Sequence, residues 1–350
     1  MAGAQRATDD LPVLADADIV VCGGGPAGSA AAIAAARLGA RTILVEKTGA
    51  LGGAPVTQLV GVLLSTNGVD LQGLWHEWAA RLKAHGGFTP VWRSVSYMTT
   101  PHTWLRASYD PEQVKRAWDE LAAAAAVRQL LLAHICGARV RAGRVDGVLV
   151  HTRAGRAVIA AGCVVDATGD AIVAHDAGVP WHRGVVGKPW PQEVTLNCRR
   201  AGVPPPTPGA PCTLGDRPIR RGNAEEKRVD PLDPWAVSDA VCRLRRRLWS
   251  EADKLPAPQY LLDTAPELGV RTSRLVQGLC QVSDDDAWEC RKSPDGIARA
   301  SWELDIHAPD DEPPPERWLH HLRRQHQPCS PDQARHEPQQ FRQSRRSAQL

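Results

Sequence analysis

The sequence predicts an α/β fold built on a parallel sheet. Short runs rich in valine and isoleucine alternate with alanine- or leucine-rich stretches of helical spacing, and glycine turns follow two of the runs, at residue 23 and after residue 166. Buried parallel strands are continuous apolar runs, and helical crossovers connect them. The alternation therefore indicates a parallel sheet covered by helices.

The first predicted unit is a strand, a tight turn, a helix and a second strand. Asp18 to Cys22 (DIVVC) has the β-branched composition of a buried strand. The turn GGGPAG follows, and an alanine-rich helical stretch then ends at Gly39, where glycine suits the end of a helix. Arg41 to Lys47 (RTILVEK) is the second strand. These elements occupy about thirty residues, the size of a strand–helix–strand unit.

Elements of the same two kinds continue along the chain. The helical patterns are Leu71 to His85, a helix that starts at Asp110-Pro111 and reaches about Val127, and Trp235 to Trp249. The strand candidates are Gln129 to Ala133, Arg144 to His151, Ala157 to Ala160, and Cys163 to Asp170, which ends in a glycine turn. Regularity is weaker from Pro180 to Pro258, and the pattern from Leu268 to His307 again indicates folded structure.

Composition narrows the class of protein. The 350 residues are 43% hydrophobic and 23% charged, as in a soluble globular chain of one large or two smaller domains. The net charge of +3 is too small to predict nucleic acid or a membrane surface as the main partner. The nine cysteines include no C-x-x-C pair, which favours reduced thiols over a disulfide framework.

The longest apolar stretch, Ala17 to Ala36, has the pattern of neither a signal peptide nor a membrane span. Four aspartates precede or open it where a signal peptide has basic residues, and three glycines and a proline interrupt it. We therefore expect a cytoplasmic protein without a membrane or nucleic-acid partner.

The turn after the first strand satisfies the pattern G-x-G-x-x-G. In this strand–turn–helix context Gly23 makes the tight turn, Gly25 lets a pyrophosphate approach the backbone, and Gly28 lets helix and strand pack closely. The helix N-terminus adds free N–H groups and a partial positive charge. The segment predicts a Rossmann-like dinucleotide-binding domain, and a structural glycine turn without a ligand is the alternative.

Glu46 ends the second strand, where a carboxylate can accept hydrogen bonds from both ribose hydroxyls of a dinucleotide. A negative side chain there disfavours a 2′-phosphate, so NADP is the least expected dinucleotide. Lys47 follows, and Gly52 and Gly53 form a second glycine pair close to the predicted cleft. The pair allows the chain to run along an extended cofactor, and a plain surface turn is the alternative. These residues leave FAD and NAD open.

Five collinear segments between about residues 17 and 307 resemble a known family. They are DIVVCGGGPAGSAAAIAAARLGARTILVEKTGALGG, YDPEQVKRAWDELA, GRVDGVLVHTRAGRAVIAAGCVVDATGDAIVAHDAGVP, LGVRTSRLVQG and SPDGIARASWELDIH. The family is that of the FAD-dependent oxidoreductases of the glutathione-reductase-like, two-dinucleotide-fold class, especially proteins similar to the FAD-binding flavoprotein component of heterodisulfide reductase. Many flavoproteins share the first segment, whereas ATGD, GVRTSR and DIH are more particular to this group.

The resemblance implies FAD as the cofactor and a binding site made by several strand ends. By this resemblance the pyrophosphate would be held by Gly23, Gly25, Pro26, Ala27 and Gly28, and the adenosine ribose by Glu46 with Lys47. The ribityl chain would lie beside Gly52 and Gly53. The adenine would be flanked by the backbone of Ile135, and the adenosine half would be covered by Thr168 with Gly169.

The resemblance also implies a second, β-rich (α+β) substrate domain. The Rossmann-like FAD-binding domain would take residues 17–60 and 110–180, and the substrate or cap region residues 61–109 and 181–307.

In that second region the resemblance implies substrate contacts, and the candidates are Arg271, Arg274 and His307. An arginine can stabilise the negative charge that builds up near flavin N1, and a histidine can exchange a proton. Alternatively, the two arginines face solvent on a helix or pair with carboxylates such as Glu267, and His307 is a surface residue.

A 4Fe–4S cluster is suggested only by the resemblance, because members of this group often carry one. A cluster needs four converging thiolates, and the closest pair, Cys280 and Cys290, lacks that spacing. His175, Asp176 and His182 form no known metal-binding pattern. We therefore expect no metal site.

Residues 308–350 depart from the family pattern. They are rich in arginine, proline, glutamine and histidine, and show no pattern of a strand, glycine turn or alanine-rich helix. In the family this part returns to the first domain and completes the flavin site. We interpret residues 308–350 as a disordered or aberrant tail of a truncated or frame-shifted gene, and translating the other two reading frames past codon 307 tests this.

The sequence thus predicts an FAD-dependent oxidoreductase that transfers hydride or electrons between bound flavin and an unidentified small-molecule substrate or redox partner. One alternative is an NAD-dependent dehydrogenase, and Gly52, Gly53 and the ATGD segment count against it. Another is a catalytically inactive dinucleotide-binding protein, which follows from the altered C-terminus.

Overall fold

The computed structural model describes residues 10–64, 73–88, 92–95, 103–183, 193–202 and 219–278. The chain divides into two compact units. The first comprises Met1–Ser94, Trp104–Gln281 and Ala298–Glu303, and the second Val95–Thr103, Val282–Ile297 and Leu304–Leu350. Of the second unit the structure describes only Val95 and Thr103. The architecture below is therefore that of the first, and the predicted tail, residues 308–350, lies outside the described residues.

The strands are β1 (Val13–Cys22), β2 (Thr42–Val45), β3 (Val62–Leu64), β4 (Trp92–Val95), β5 (Thr103–Ser108), β6 (Arg128–Leu130), β7 (His134–Arg141), β8 (Arg144–Thr152), β9 (Gly155–Asp166), β10 (Trp181–Arg183), β11 (Val194–Ala201), β12 (Ile219–Glu226), β13 (Tyr260–Thr264) and β14 (Arg274–Val276). The helices are α1 (Pro26–Arg37), α2 (Ala54–Thr57), α3 (Leu74–Ala84), α4 (Pro111–Ala124), α5 (Ile172–Asp176) and α6 (Pro234–Ala252).

A six-stranded sheet has the order β6-β2-β1-β9-β8-β7. The first four of these strands run parallel, and β8 and β7 extend the sheet in antiparallel fashion. In the register of the sheet, Cys22 lies beside Val45 on one side and Asp166 on the other. The carboxyl ends of three neighbouring parallel strands therefore stand level. The predicted α/β class is confirmed, with a mixed sheet in place of a wholly parallel one.

Local signals placed the helices of this sheet correctly. α1 ends at Arg37, and Gly39 follows with φ of 91°, a conformation that suits glycine at a helix end. α4 begins at Pro111, where the Asp110 carboxylate accepts a hydrogen bond from the Glu112 N–H at 2.8 Å.

Three strand predictions were wrong in their bounds. The separate strands predicted at Ala157 to Ala160 and at Cys163 to Asp170 form the single strand β9, because β1 pairs with β9 through both parts. The strand predicted at Gln129 to Ala133 is β6, only three residues long, and the longer β7 follows it unpredicted.

Alternate residues of β1 face opposite sides of the sheet, and each side has its own apolar core. Val21 packs with Leu44 and Trp118 on the side that carries α1 and α4. Val20 and Cys22 pack on the other side, with apolar residues of β8 and β9. Since all three β1 residues are fully buried, β1 is the central strand on which the strand-end turns rest.

Three smaller sheets accompany the large one, with the orders β12-β11-β13, β3-β5-β4 and β10-β14. α6 covers one face of the antiparallel β12-β11-β13 sheet, where Leu196 and Cys198 pack with Leu244 and Leu248. The region after residue 180, in which the sequence shows weak regularity, is thus rich in strands. The predicted domain boundaries stay a prediction.

None of the helices formed by the described residues combines the length and the apolar character that a membrane span requires.

Candidate functional site

In the turn after β1, Gly23 and Gly28 have no room for a side chain. The Gly23 N–H donates to the Val45 carbonyl at 2.8 Å, and Gly23 has φ of 103°. A Cβ on Gly23 would lie 2.4 Å from the Ala167 carbonyl oxygen, and one on Gly28 would lie 1.9 Å from the Gly23 oxygen. The strand, the turn and the first turn of α1 therefore meet backbone to backbone, as the G-x-G-x-x-G pattern requires.

The N-terminus of α1 opens onto free space beside this turn. Gly25 is the N-cap residue and supplies no side-chain cap, and Pro26 takes the first helical position. The N–H groups of Gly25, Ala27 and Gly28 have no acceptor among the described residues. A Cβ on Gly25 would meet nothing closer than the Gly53 Cα, at 3.9 Å. Free N–H groups and open space at a helix N-terminus fit a pyrophosphate.

Glu46 joins the ends of β1 and β2 through a buried carboxylate, with 6% of the residue exposed. One carboxylate oxygen accepts from the Gly24 N–H at 2.7 Å. The other accepts from the N–H and the hydroxyl of Thr48, at 2.7 and 2.9 Å. A carboxylate has about four lone-pair sites, so it retains capacity to accept from a ribose hydroxyl. Glu46 thus holds the turn in place and can still bind a dinucleotide.

The glycine pair at 52 and 53 lies against the first turn. The Gly52 N–H donates to the Gly24 carbonyl at 2.8 Å, and a Cβ on Gly53 would lie 2.8 Å from the Gly25 Cα. The pair is therefore part of the same strand-end structure and not an isolated surface turn. Its contact with the ribityl chain of FAD stays a prediction.

Asp166 organises the third strand end, after β9. One of its oxygens accepts from the N–H and the hydroxyl of Thr168, at 3.1 and 2.7 Å, and the other accepts from the Ala174 N–H at 2.9 Å. The Thr168 oxygen in turn accepts from the Ile172 N–H at 3.0 Å, and Gly169 is exposed with φ of 81°. Sequence reasoning missed Asp166, although an aspartate two residues before a threonine at a strand end is a turn signal.

Ile135 and Lys47 lie at the edges of this arrangement. The Ala133 N–H donates to the Glu46 carbonyl at 3.0 Å, which brings the chain leading to the half-buried Ile135 along the end of β2. Lys47 forms an ion pair with Glu267 at 2.8 Å. Partial burial lowers the Lys47 pKa, but the hydrogen bond and attraction to Glu267 outweigh it and leave the pKa raised. Lys47 therefore stays charged and is held by the segment before Arg271.

The two arginine candidates have different surroundings, and neither lies on a helix. Arg271 is 4.0 and 3.9 Å from the carboxylates of Glu193 and Glu225. The alternative of pairing with carboxylates is therefore confirmed for Arg271, but with Glu193 and Glu225 as partners, whereas Glu267 binds Lys47 and accepts from Thr57.

Arg274, by contrast, reaches the turn that follows β9. It donates to the Asp170 carbonyl at 3.0 Å, and its guanidinium carbon lies 5.3 Å from the ring centre of Trp181. Its buried Nε has no hydrogen-bond partner among the described residues. The neighbouring Ser273 hydroxyl donates to the Asp170 carboxylate at 2.6 Å, so two hydrogen bonds join this segment to Asp170. The third candidate, His307, lies outside the described residues.

The expectation that the chain has no metal site stays a prediction. Among the described residues, no cluster of three or more His, Cys, Asp or Glu side chains could hold a metal ion. The free cysteines of that part of the chain are Cys22, Cys136, Cys163, Cys198 and Cys242. Cys280 and Cys290 lie outside it.

Comparison with protein families gives one match that spans most of the chain. The model of the family described as FAD dependent oxidoreductase matches residues 18–246 and 224–328. The match includes the glycine turn, Glu46, the turn after Asp166 and both arginine candidates. It runs past residue 307, where the collinear segments of the sequence end.

Curated proteins match over a shorter stretch. The chain is 41% identical to the dihydrolipoyl dehydrogenase of Trypanosoma brucei brucei over 76 residues, which are 22% of this chain and 15% of that protein. It is 47% identical to the mitochondrial dihydrolipoyl dehydrogenase of Caenorhabditis elegans over 70 residues, 19% of this chain and 14% of that protein. The chain thus spans less than a fifth of the length of these relatives.

Solved structures share the fold at low identity. A geranylgeranyl bacteriochlorophyll reductase-like protein from Thermoplasma acidophilum aligns with a TM-score of 0.50 and 17% identity, over 75% of this chain and 66% of that one. The myxobacterial chondrochloren halogenase CndH, a variant of FAD-dependent halogenases, aligns with a TM-score of 0.50 and 18% identity, over 74% of this chain and 64% of that one. Both support the α/β fold described above.

Proposed function

Because the chain belongs to the FAD dependent oxidoreductase family, we propose that it binds FAD and transfers hydride or electrons between the flavin and a small-molecule substrate or redox partner. The observation that supports this most directly is the level alignment of Cys22, Val45 and Asp166. It brings three different strand-end structures to one edge of the sheet, the place where open α/β sheets bind ligands.

Each strand end has a part in holding the cofactor. The free N–H groups of Gly25, Ala27 and Gly28 at the start of α1 bind the pyrophosphate. Glu46 accepts from the adenosine ribose while it keeps its hydrogen bond to Gly24. The turn that Asp166 orders closes over the adenosine half. Bound FAD supplies an isoalloxazine ring that accepts or donates a hydride.

Of the two arginines, we propose that Arg274 is the one that contacts the cofactor. It contacts the turn after β9 through Asp170 and keeps one buried N–H group that has no acceptor within the described part of the chain. A buried donor without a partner costs about 1–3 kcal/mol, so an anionic atom of the cofactor or substrate that accepts from this group is favoured. Arg271 already faces two carboxylates, so a further anion there is less strongly bound.

We also place the protein in the cytoplasm, with a small-molecule substrate or redox partner and without nucleic acid or membrane. The small net charge and the absence of C-x-x-C pairs support this.

A visible spectrum of the purified chain tests the cofactor. We expect flavin bands that bleach with dithionite, and FAD in the supernatant after heat denaturation. A colourless chain whose melting temperature rises with NAD but not with FAD would support the NAD-dependent alternative. A chain that responds to neither would support the inactive alternative.

Replacing each of the two arginines in turn tests which of them contacts the cofactor. We expect Arg274→Gln to weaken FAD binding about tenfold, because the variant removes a charged donor beside the turn that closes over the adenosine half. Arg271→Gln should leave the FAD affinity unchanged. Equal losses of affinity in both variants, or a loss in the second alone, would contradict the assignment.

A further inference from the structure

The outer face of α6 carries an exposed apolar stripe at heptad spacing. Trp235, Cys242 and Trp249 are seven residues apart, so they lie in one line along the helix at intervals of about 10 Å. Trp235 is 78% exposed and Trp249 51%, and Cys242 is a free, exposed thiol. The buried residues Leu244 and Leu248 lie on the opposite side of the helix, against the β12-β11-β13 sheet. Two exposed tryptophans in line on a helix that is otherwise well packed indicate a contact surface.

We propose that this stripe is the surface through which two copies of the chain associate, with the two α6 helices antiparallel about a two-fold axis at Cys242. In that arrangement Trp235 of one copy faces Trp249 of the other, and the two Cys242 thiols face each other. A two-fold interface requires one patch to be complementary to itself. The stripe meets this requirement because the two tryptophans are equally far from Cys242.

The charges beside the stripe have the same symmetry. Asp239 lies three residues before Cys242 and Arg246 four residues after it, on the same flank of the helix. The two-fold axis therefore brings Asp239 of each copy within about one residue rise, ~1.5 Å along the axis, of Arg246 of the other. Arg246 has no carboxylate partner among the described residues, whereas its neighbours Arg243 and Arg247 pair with Glu226 and Glu251. The unpaired guanidinium is the one that the second copy would engage.

The spacing also allows close approach at the centre. Packed helices have axes about 8–10 Å apart, and each Cα lies about 2.3 Å from its axis, which leaves roughly 4–6 Å between the two Cys242 Cα atoms. A disulfide spans a similar Cα separation, about 4.4–6.8 Å. A single helix pair buries less surface than the roughly 1,200 Å² of a stable interface, so the association is expected to be weak, with dissociation in the micromolar range.

Sedimentation velocity at increasing protein concentration measures the association. We expect a monomer–dimer equilibrium, weakened at least tenfold by Trp249→Ala or Trp235→Ala. Leu38→Ala is the matched control, because Leu38 is 89% exposed but directly follows α1, outside the stripe. All three side chains are exposed, so the circular dichroism spectrum should not change. A protein that stays monomeric at every concentration overturns the proposal, as does a dimer equally strong in the tryptophan variants.

A charge exchange tests the antiparallel register. Asp239→Arg places two like charges together and should weaken association about tenfold, whereas the double variant Asp239→Arg with Arg246→Asp should restore it. Failure of the double variant to recover while it remains folded would contradict this register.

Cross-linking with the thiol oxidant diamide tests whether the two Cys242 thiols meet at the centre of the interface. Two thiols lose two protons and two electrons to diamide and form one disulfide. We expect a cross-linked dimer that Cys242→Ser abolishes and Cys163→Ser, at another exposed cysteine, retains. A cross-link that persists in Cys242→Ser would place the contact elsewhere. The flavin spectrum is expected to be the same in all of these variants, so the result is independent of the proposed function.

Discussion

Different interactions stabilise the strand-end region of the six-stranded sheet and the β12-β11-β13 sheet. At the strand ends, the closest contacts are between backbones, and Gly28 approaches the Gly23 carbonyl so closely that no Cβ fits. In the β12-β11-β13 sheet, long charged side chains join the elements, as in the pairs of Arg199 with Asp263 and Arg200 with Glu251. The strand-end turns therefore depend chiefly on steric fit, whereas in the second region ion pairs add to apolar packing against α6.

This difference predicts how each region responds to substitution. Backbone contacts in a close-packed turn cannot adjust to an added atom, so small changes there are costly. Partly exposed ion pairs are screened by water and contribute little each. Arg199 and Asp263 side chains are 21% and 34% exposed, which places them between a surface and a buried pair.

The largest expected effect is that of Gly28→Ala. Its Cβ would lie 1.9 Å from the Gly23 oxygen and 3.0 Å from the Ala167 Cβ, so β1 and α1 must separate. We expect a loss of about 3 kcal/mol or more in the free energy of unfolding, measured by urea denaturation. Gly39→Ala is the control, because a Cβ there meets nothing within 4 Å and costs only about 1 kcal/mol for its positive φ. Similar losses in both variants would contradict the steric explanation.

Gly25→Ala separates cofactor binding from stability within the same turn. The backbone of Gly25, with φ of −66° and ψ of 178°, suits alanine, and the nearest atom to the new Cβ is 3.9 Å away. We expect unfolding to change by less than about 0.5 kcal/mol. FAD affinity should fall at least tenfold, because the methyl group occupies space that the pyrophosphate needs. Flavin fluorescence titration of the apoprotein measures this, and unchanged affinity would remove Gly25 from the site.

Glu46→Gln tests the buried carboxylate at the strand ends. The amide can replace only part of the three hydrogen bonds that the carboxylate accepts from Gly24 and Thr48, and a buried N–H loses its acceptor. We expect a loss of about 1–3 kcal/mol in unfolding and a weaker affinity for FAD. The control Glu77→Gln breaks an exposed pair with Arg37 and should cost less than about 0.5 kcal/mol. Equal costs would mean that burial of Glu46 has no effect.

The same contrast explains what the sequence could predict. The constraints on Gly23 and Gly28 come from atoms a few residues away or from the neighbouring strand end, so a short motif contains them. The helix caps at Asp110 and Gly39 are also local, and the helix bounds agree closely with the prediction.

Strands β11 and β13 could not be predicted in this way. Arg199 and Arg200 interrupt the apolar alternation of β11, and they are stabilised by Asp263 and Glu251, which are 64 and 51 residues away. No local pattern specifies such a pair. For the same reason the sequence did not distinguish Arg271 from Arg274, whose surroundings depend on Glu193 and Asp170.

Asp263→Asn measures the strength of the charged region. The variant removes the charge that binds Arg199 between β11 and β13 and that raises the Arg199 pKa through its hydrogen bond. We expect a loss of about 1 kcal/mol in unfolding, smaller at high salt because screening weakens the wild-type pair. Thermal denaturation at two salt concentrations measures it. A loss of stability as large as that of Gly28→Ala would contradict the claim that this ion pair matters less than the steric fit of the strand-end turns.

The effect expected from Cys22 is absent at neutral pH and arises only in alkaline solution. Burial in β1, with a smaller contribution from the negative charge of Asp166, raises the pKa of the Cys22 thiol to about 12 from an ordinary value of 9.0. Below pH 9 the thiol is protonated in both the folded and the unfolded chain and has no effect on the pH dependence. Between pH 9 and 12 the unfolded chain loses this proton and the folded chain keeps it, so stability falls as pH rises.

We expect Cys22→Ala to unfold with the same pH dependence as the wild type below pH 9 and a shallower decline above it, measured by urea denaturation from neutral to alkaline pH. Parallel curves over the whole range would mean that water reaches the centre of the sheet.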